Sequence, residues 1–326
     1  MAIVPYAIAL VLAATSTLFV RAQRMPERFF FINPPVVQLS SSLQAELATT
    51  PLIWMPSAGF WTGFERYIIS DNTHAWRHTV GAYAELARWR VKRNRSSSIY
   101  AMGTFEHIAD PNNDISFNPR AVWWEEGIAY ATELDTLSLL EKVAYPSLHI
   151  GYYHRCRHEI DNIFRGESRI MIYGSITAKY MLSLVGNHPQ EYLDAGARFD
   201  IYTIRTDYRY PFWHLGTTPS YFDLVGSIGF NLYYQNVLPL QQLSWYTSAR
   251  CIATAFAGNR EFLARFAAIN TIRLDYGATF GVSINGDVRC RIGIQYEYLS
   301  DTEVQPFPQA QHLLSIGFTF LSPRGL

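Results

Sequence analysis

The residues best suited to chemistry in this sequence lie within one stretch, GYYHRCRHEIDN, at residues 151–162. His154, Cys156 and His158 occupy every second position there. A cysteine thiol beside an imidazole can act as an activated nucleophile, and histidines combined with carboxylates can bind a metal ion. Which of these is possible depends on where the side chains point, so the elements that carry them have to be established first.

Composition and charge exclude several classes of function. The chain has 326 residues, with 27 basic and 27 acidic side chains, so its formal charge is zero. No basic surface for nucleic acid is expected from this balance. Cys156, Cys251 and Cys290 are too few and too scattered for a disulfide framework, and they lack the spacing of a zinc site. We therefore predict no cofactor and no bound metal.

An export signal is predicted at the start of the sequence. Residues 3–20 are mostly apolar, and a small-residue cleavage motif, Val-Arg-Ala, follows at residues 20–22. We expect residues 1–22 to be removed as a signal peptide; an uncleaved membrane anchor is the alternative. Residues 23–56 contain Pro-Pro and a serine run, which predicts an irregular periplasmic segment, and residues 57–326 form a single domain.

Polarity in this main domain alternates with a period of two. In DVRCRIGIQYEYL, at residues 287–299, apolar residues share one face, while arginine, glutamine and glutamate share the other. YFDLVGSIGFNLYY, at residues 221–234, repeats the pattern. Alternating segments of about ten residues with tyrosines near their ends are typical of a transmembrane β-barrel, in which apolar side chains face lipid. A secreted β-sandwich, whose strands also alternate, is the alternative.

The last alternating segment favours the barrel. HLLSIGFTF, at residues 312–320, ends on an aromatic residue and resembles the C-terminal signal by which bacterial outer-membrane proteins are recognised for insertion. It departs from that signal in one respect, because LSPRGL follows Phe320.

We predict an all-β fold, a closed antiparallel barrel of about twelve strands in the outer membrane of a Gram-negative bacterium. Closure is required because every backbone group inside a bilayer must be paired within the protein. The shorter connections should be periplasmic and the longer ones outside. The first two strands are the least secure, since parts of them could be helical. The strands are expected at about 57–68, 76–91, 98–108, 120–133, 146–156, 168–183, 191–204, 220–234, 242–257, 268–281, 287–299 and 311–320.

Charges of both signs are predicted to point into the lumen. One interpretation is a lumen closed by salt bridges and water, and the other is a polar pore of modest selectivity; we favour the closed lumen. The predicted lumen-lining residues are Lys179, Asp194, Arg198, Asp200, Asp223, Arg250, Arg273, Asp275, Arg289, Arg291 and Glu297.

The same alternation gives the opening stretch two faces. His154, Cys156 and His158 continue the lipid-facing row of the strand at 146–156, which reaches the outer interface near His154. A polar strand end beside lipopolysaccharide headgroups is the simplest interpretation. A metal site is disfavoured, because ligands at alternate strand positions lie about 6–7 Å apart. The remaining hypothesis is a lipid-modifying site, with these three residues as the catalytic candidates.

A Trp-Trp-Glu-Glu run at residues 123–126 is a further candidate, because paired carboxylates can act as an acid and a base. Neighbouring side chains on a strand point to opposite faces. Only one of Glu125 and Glu126 can therefore face the lumen, and girdle aromatics beside acidic residues of the outer rim are the favoured interpretation.

Two resemblances can be stated on these motifs. His-Arg-Cys, at residues 154–156, is similar to the His-x-Ser pair that some outer-membrane lipid A deacylases carry on the outer wall of the barrel, with Cys156 in place of serine. YYHRCRHEIDN also resembles the His-x-Ser-x-His-x-x-Asp segment of a poorly characterised family of medium-sized outer-membrane barrels. The second resemblance covers roughly residues 98–165. It implies about twelve strands in the outer membrane and no particular reaction.

Three functions follow as hypotheses. The first is a structural anchor or scaffold for periplasmic or surface partners, held through residues 23–56 or the outer loops. The second is a narrow, porin-like diffusion channel, and the third is a lipid-modifying enzyme. The anchor and the channel rank above the enzyme. Outer-membrane lipid and lipopolysaccharide are expected to contact the protein in every case.

Overall fold

Antiparallel strands make up nearly all of the chain that the computed structural model describes. The described residues are 50, 52–70, 75–92, 95–109, 119–139, 142–159, 169–186, 191–209, 222–240, 242–258, 272–284, 289–300 and 310–321. The strands within these ranges are β1 (Leu52–Ile69), β2 (Trp76–Lys92), β3 (Arg95–Ala109), β4 (Pro119–Glu133), β5 (Leu137–Leu139), β6 (Lys142–Glu159), β7 (Arg169–Val185), β8 (Tyr192–Arg209), β9 (Phe222–Val237), β10 (Leu243–Gly258), β11 (Ile272–Ile284), β12 (Arg289–Leu299) and β13 (Gln311–Leu321).

Two pairings close the sheet into a ring. β1 pairs with β13, and β4 pairs with β6 past the short β5. The twelve long strands therefore form one closed antiparallel barrel, as the alternation predicts. β5 pairs with the first residues of β6 and makes a small hairpin at the edge of the ring. The sequence does not predict this hairpin, because three residues are too few to show a period.

The segments that could have been helical are strands. β1 is hydrogen-bonded to β13 and β2, and β2 is hydrogen-bonded to β1 and β3. Closure explains this result, because in a ring each strand has a partner on both sides and the pairing outweighs a weak local preference for helix.

The first strand begins earlier than the sequence predicts. Leu52 already pairs with Trp89, so the end of the segment at 23–56 is strand rather than irregular chain. The pairing shifts register before Ser57, around Met55, whose φ of 52° is unusual for a residue with a side chain. This bulge hides the period of two, which is why the alternation becomes readable only from about residue 57. The predicted signal peptide lies outside the described residues.

Inner and outer faces alternate along the long strands. In β8, Asp194, Arg198 and Asp200 are buried, whereas Phe199 and Ile201 are each 51% exposed. Exposed aliphatic residues recur on the outer face of the other long strands, and exposed tyrosines lie near both edges of this apolar band. Examples of these tyrosines are Tyr130, Tyr180, Tyr276 and Tyr296. An apolar outer wall with aromatic edges is the wall that a barrel presents to lipid.

The two ends of the barrel differ in the length of their connections. Connections of two to eight residues join the strands at one end, at 93–94, 134–141, 186–191, 238–242 and 285–288. Connections of six to thirteen residues join them at the other end, at 70–75, 110–118, 160–168, 210–221, 259–271 and 300–310. Bacterial barrels have short periplasmic turns and longer outer loops. We therefore call the end with the longer connections the outer end.

Glycines on the inner face let large aromatic rings lie against the wall. A Cβ on Gly81 would collide with the indole of Trp61, and a Cβ on Gly127 would lie 2.5 Å from the Tyr153 ring. Both rings belong to one buried cluster on the lumen side. The inner surface of this half of the barrel is thus covered by aromatic side chains as well as by charges.

Candidate functional site

A polar cluster in the lumen joins β4, β6 and β8. Arg155 donates hydrogen bonds to Glu125 and, at 3.5 Å, to Asp200. Arg198 forms an ion pair with Asp200 through Nε at 2.9 Å and reaches Glu125 at 3.4 Å. These four side chains are each 6% exposed or less. Two guanidinium groups therefore share two carboxylates inside the barrel.

Hydroxyl groups complete this cluster. Thr177 and Ser227 donate hydrogen bonds to the Asp200 carboxylate, the latter at 2.8 Å. Lys179 donates to the Tyr153 hydroxyl at 3.2 Å. From Tyr153, hydrogen bonds continue through further side chains on β3 and β6, which are Tyr100, His149 and Ser147. These side chains come from six neighbouring strands, β3, β4, β6, β7, β8 and β9, and their contacts fix the inward side chains relative to one another.

A second ionic cluster joins strands on the opposite arc of the ring. Arg77 of β2 is paired with Glu65 of β1 and, at 3.2 Å, with Glu297 of β12. Glu297 is also paired with Arg250 of β10, and the Tyr67 hydroxyl accepts a hydrogen bond from Arg77 at 2.7 Å. One carboxylate thus ties together guanidinium groups from strands that are not adjacent in the sheet.

A stack of tyrosines lies nearer the periplasmic end. The rings of Tyr192 and Tyr233 are stacked at 5.5 Å, and those of Tyr233 and Tyr246 at 5.9 Å. The Arg291 guanidinium lies 4.5 Å from the Tyr233 ring centre and 4.8 Å from that of Tyr246. Cation–π contacts of this geometry hold the guanidinium against the wall.

The residues predicted to line the lumen fall into three groups by position. Arg250 and Asp275 are half-buried, and Asp275 accepts hydrogen bonds from the backbone and hydroxyl of Ser300. Asp223 lies on β9, but its side chain is outside the described part of the structure. The remaining predicted residues are buried on inner-face positions, and they are Lys179, Asp194, Arg198, Asp200, Arg273, Arg289, Arg291 and Glu297.

Several residues of the two ionic clusters are absent from the predicted lumen set. Arg155 alternates with the lipid-facing His154 and Cys156 and so has lumen-facing parity, but it is not in the set, and the sequence does not decide which of Glu125 and Glu126 faces inward. Glu65 and Arg77 lie on the first two strands, where the alternation is weakest. The sequence does not show the strand register, and it is the register that places Glu125 directly opposite Arg155.

The outer wall carries the motif from which the sequence analysis began. His154 and Cys156 lie on the outward face of β6, whereas Tyr153 before them and Arg155 between them are buried on the lumen side. The Cys156 Sγ and the His154 Nε2 are 3.2 Å apart, within hydrogen-bonding distance for sulfur. His158, the third candidate, is stacked on Trp124 with ring centroids 4.8 Å apart. The structure therefore brings the thiol and one imidazole together and separates the second imidazole from them.

A carboxylate lies beside this pair. Glu126 of β4 is the direct register partner of His154 and is exposed on the same outward face. Its neighbour Glu125 points into the lumen, so the two carboxylates of the Trp-Trp-Glu-Glu run are on opposite sides of the wall. Cross-strand partners have Cβ atoms about 4.5–5.5 Å apart, so Glu126 and His154 are direct neighbours on the outward face.

Metal binding is not supported by the described residues. Within them, no group of three or more His, Cys, Asp or Glu side chains could hold an ion. Asp161 lies outside the described residues, as does the side chain of Glu159. Over the same ranges, the structure contains no helix that is both long enough and apolar enough to span a membrane.

Comparison with known proteins gives a likeness of architecture. No protein-family model and no curated protein matches the chain. The translocator domain of the autotransporter NalP from Neisseria meningitidis is 8% identical, with 81% of this chain and 88% of that chain covered and a TM-score of 0.35. OprB of Pseudomonas putida is 9% identical, with 92% and 99% covered and a TM-score of 0.35. The transport unit of AIDA-I from Escherichia coli is 11% identical, with 87% and 98% covered and a TM-score of 0.38.

The chain is an outer-membrane β-barrel. Its closed ring, apolar wall and aromatic edges carry that conclusion. The resemblance of residues 152–162 to one poorly characterised barrel family stays a prediction.

Proposed function

We propose that this protein is a membrane-embedded anchor whose lumen is closed by its own side chains. The observation that carries the proposal is the burial of the charged inner face. Arg77, Arg155, Lys179 and Arg198 are each at most 2% exposed, although they project into the interior of a twelve-stranded ring. A water-filled channel would leave such side chains in contact with solvent.

The contacts of these side chains explain how the closure is maintained. Arg155 and Arg198 share Glu125 and Asp200, and Arg77 meets Glu297 from three strands away. Charged groups that are desolvated and paired in this way are costly to separate. A diffusion channel, the alternative function, requires lining groups that stay hydrated and mobile.

A barrel with a closed lumen works through its two rims and its outer wall. β1 begins at the periplasmic end of the barrel, and the segment before it is the site that we propose for a periplasmic partner. Since β1 is paired from Leu52 onward, a deletion that ends at residue 49 leaves every pairing of β1 in place.

Deletion of residues 23–49 tests the anchor. The truncated protein should insert normally, and the partner that cross-links to the full chain in cells should be lost. In a control variant, residues 23–49 are replaced by a Gly-Ser linker of the same length. This variant shows whether the partner needs the sequence of the segment or only its length. Unchanged cross-linking in both variants would contradict a role for this segment.

A further inference from the structure

The outer wall of β4 and β6 carries a group of reactive side chains that take no part in the contacts of the lumen. Cys156 and His154 are in contact at 3.2 Å through Sγ and Nε2. Glu126 lies opposite His154 in the strand pairing. Nε2 of the His154 ring faces the thiol, so Nδ1 is the nitrogen through which Glu126 would orient the ring. A thiol, an imidazole and a carboxylate therefore lie together on one outward face, and these are the residue types of an activated nucleophile.

The position of Glu126 is unusual for a structural residue. It is exposed on the outward face, and Ile128, two residues further along β4, is 51% exposed on the apolar wall. Ile150 and Ile176 continue that wall on β6 and β7. A carboxylate at the edge of a lipid-facing apolar band costs stability, and such residues usually mark functional sites.

The depth of the group matches a chemical boundary of the membrane. His154 and Cys156 lie toward the outer end of β6, where the apolar wall gives way to the polar rim. In a lipid leaflet this is the level of the ester carbonyls, with acyl chains below and headgroups above. An acyl chain can therefore lie along Ile128 and Ile150 while its ester approaches the thiol.

We propose that Cys156, His154 and Glu126 form an acyl-transfer site for the acyl esters of lipids in the outer leaflet. Cys156 is the nucleophile and His154 the general base, and Glu126 orients the imidazole and stabilises its charged form. The proposal does not depend on a closed lumen, because the site is on the other side of the barrel wall.

The chemistry balances with water as the co-reactant. His154 takes the proton of the Cys156 thiol as sulfur attacks the ester carbonyl carbon, forming a C–S bond and a tetrahedral intermediate. Collapse breaks the C–O bond of the ester, and the imidazolium gives its proton to the departing alcohol. Water, activated by His154, then attacks the thioester, which releases the fatty acid and restores the thiol.

Access to the thiol is limited by an aromatic pair. Cys156 is only 4% exposed, and its register partner Trp124 is stacked on His158. A lipid substrate must displace this pair to reach the sulfur. The pair thus keeps the thiol protected from polar reagents until an acyl chain is bound at the wall.

The test uses the full-length protein, purified in folded form, and two kinds of vesicle. One kind contains a diacyl phosphatidylethanolamine and the other contains lipid A, each with an alkyne-tagged acyl chain. The readouts are released fatty acid and an acyl adduct on Cys156 that neutral hydroxylamine removes. We expect activity on at least one lipid, and the comparison of vesicles identifies which lipid supplies the ester.

Variants assign the roles. Cys156→Ala should lose both signals, and Cys156→Ser should give an adduct that resists neutral hydroxylamine. His154→Gln should slow acyl release by about 100-fold. Glu126→Gln should slow acyl release, and Glu126→Asp should restore part of the rate, which a merely structural role would not do.

The chain supplies matched controls in its two other cysteines. Cys251 and Cys290 also face outward, but their register partners are Tyr276 and Phe230 for the first, and Ile284 and Phe320 for the second. Replacement of either by alanine should leave both signals unchanged. Folding of each variant is checked by its heat-dependent migration on gels. The proposal is overturned if folded wild-type protein releases no fatty acid from either lipid and forms no adduct, or if Cys156→Ala retains the activity.

Discussion

At the scale of single residues, burial decides how much each ion pair contributes to the stability of the folded barrel. The Arg155–Glu125 pair is almost completely buried, whereas the Arg95–Asp135 pair leaves most of the Asp135 side chain exposed. Removing one partner of a buried pair leaves a desolvated charge behind, while an exposed pair is replaced by water at little cost. The two pairs therefore make a matched comparison within one molecule.

Arg155→Ala is expected to lower the free energy of unfolding by about 3 kcal/mol. The loss should be at the low end of the range for buried pairs, because Arg198 still reaches Glu125 at 3.4 Å. Arg95→Ala should change the free energy by less than about 1 kcal/mol. Urea unfolding in lipid vesicles, followed by tryptophan fluorescence, measures both. Equal effects of the two substitutions would contradict the buried network.

The aromatic pair at the outer wall gives a second prediction at this scale. Trp124→Ala should increase the rate at which a membrane-permeant maleimide labels Cys156, because it removes the side chain opposite the sulfur. Labelling of Cys251, read by peptide mass spectrometry in the same sample, should not change. An unaltered rate at Cys156 would mean that something other than this pair protects the thiol.

At the scale of elements, β13 closes the ring. Phe318 lies between Phe64 of β1 and Ile292 of β12 on the apolar wall, while His312 lies on the same face at the outer end of the strand. Depth in the bilayer should therefore decide how well β13 tolerates a charge.

Phe318→Arg is expected to destabilise the folded barrel by about 2–4 kcal/mol, and His312→Arg by no more than about 1 kcal/mol. Folding titrations in vesicles of short-chain phosphatidylcholine give both values. A similar cost at the two positions would be inconsistent with a lipid-facing β13.

The strands could be read from the sequence because their signal is local. Alternation of apolar and polar residues places each side chain on one face, and it located all twelve long strands. Register cannot be read in this way, since it depends on which residues of two strands lie opposite each other. Glu126 beside His154, and Glu125 beside Arg155, became visible only when β4 and β6 were aligned. The bulge before Ser57 and the hairpin of β5 were missed because each interrupts the period of two.

At the scale of the whole molecule, two surfaces divide the possible functions. The inner face carries paired charges and stacked tyrosines, and the outer face carries an apolar wall with the Cys156–His154 pair near its outer edge. In the anchor that we propose, the interior is closed and the rims and the outer wall are the surfaces through which the barrel acts.

Single-channel conductance in a planar bilayer tests the closed lumen most directly. The full-length protein is refolded and inserted, and insertion is verified in parallel vesicles by heat-dependent migration. We predict no steady openings from the wild-type barrel. Steady openings in the range of small porins, with an ion selectivity that changes in Arg250→Ala, would contradict the closed lumen and favour the diffusion channel.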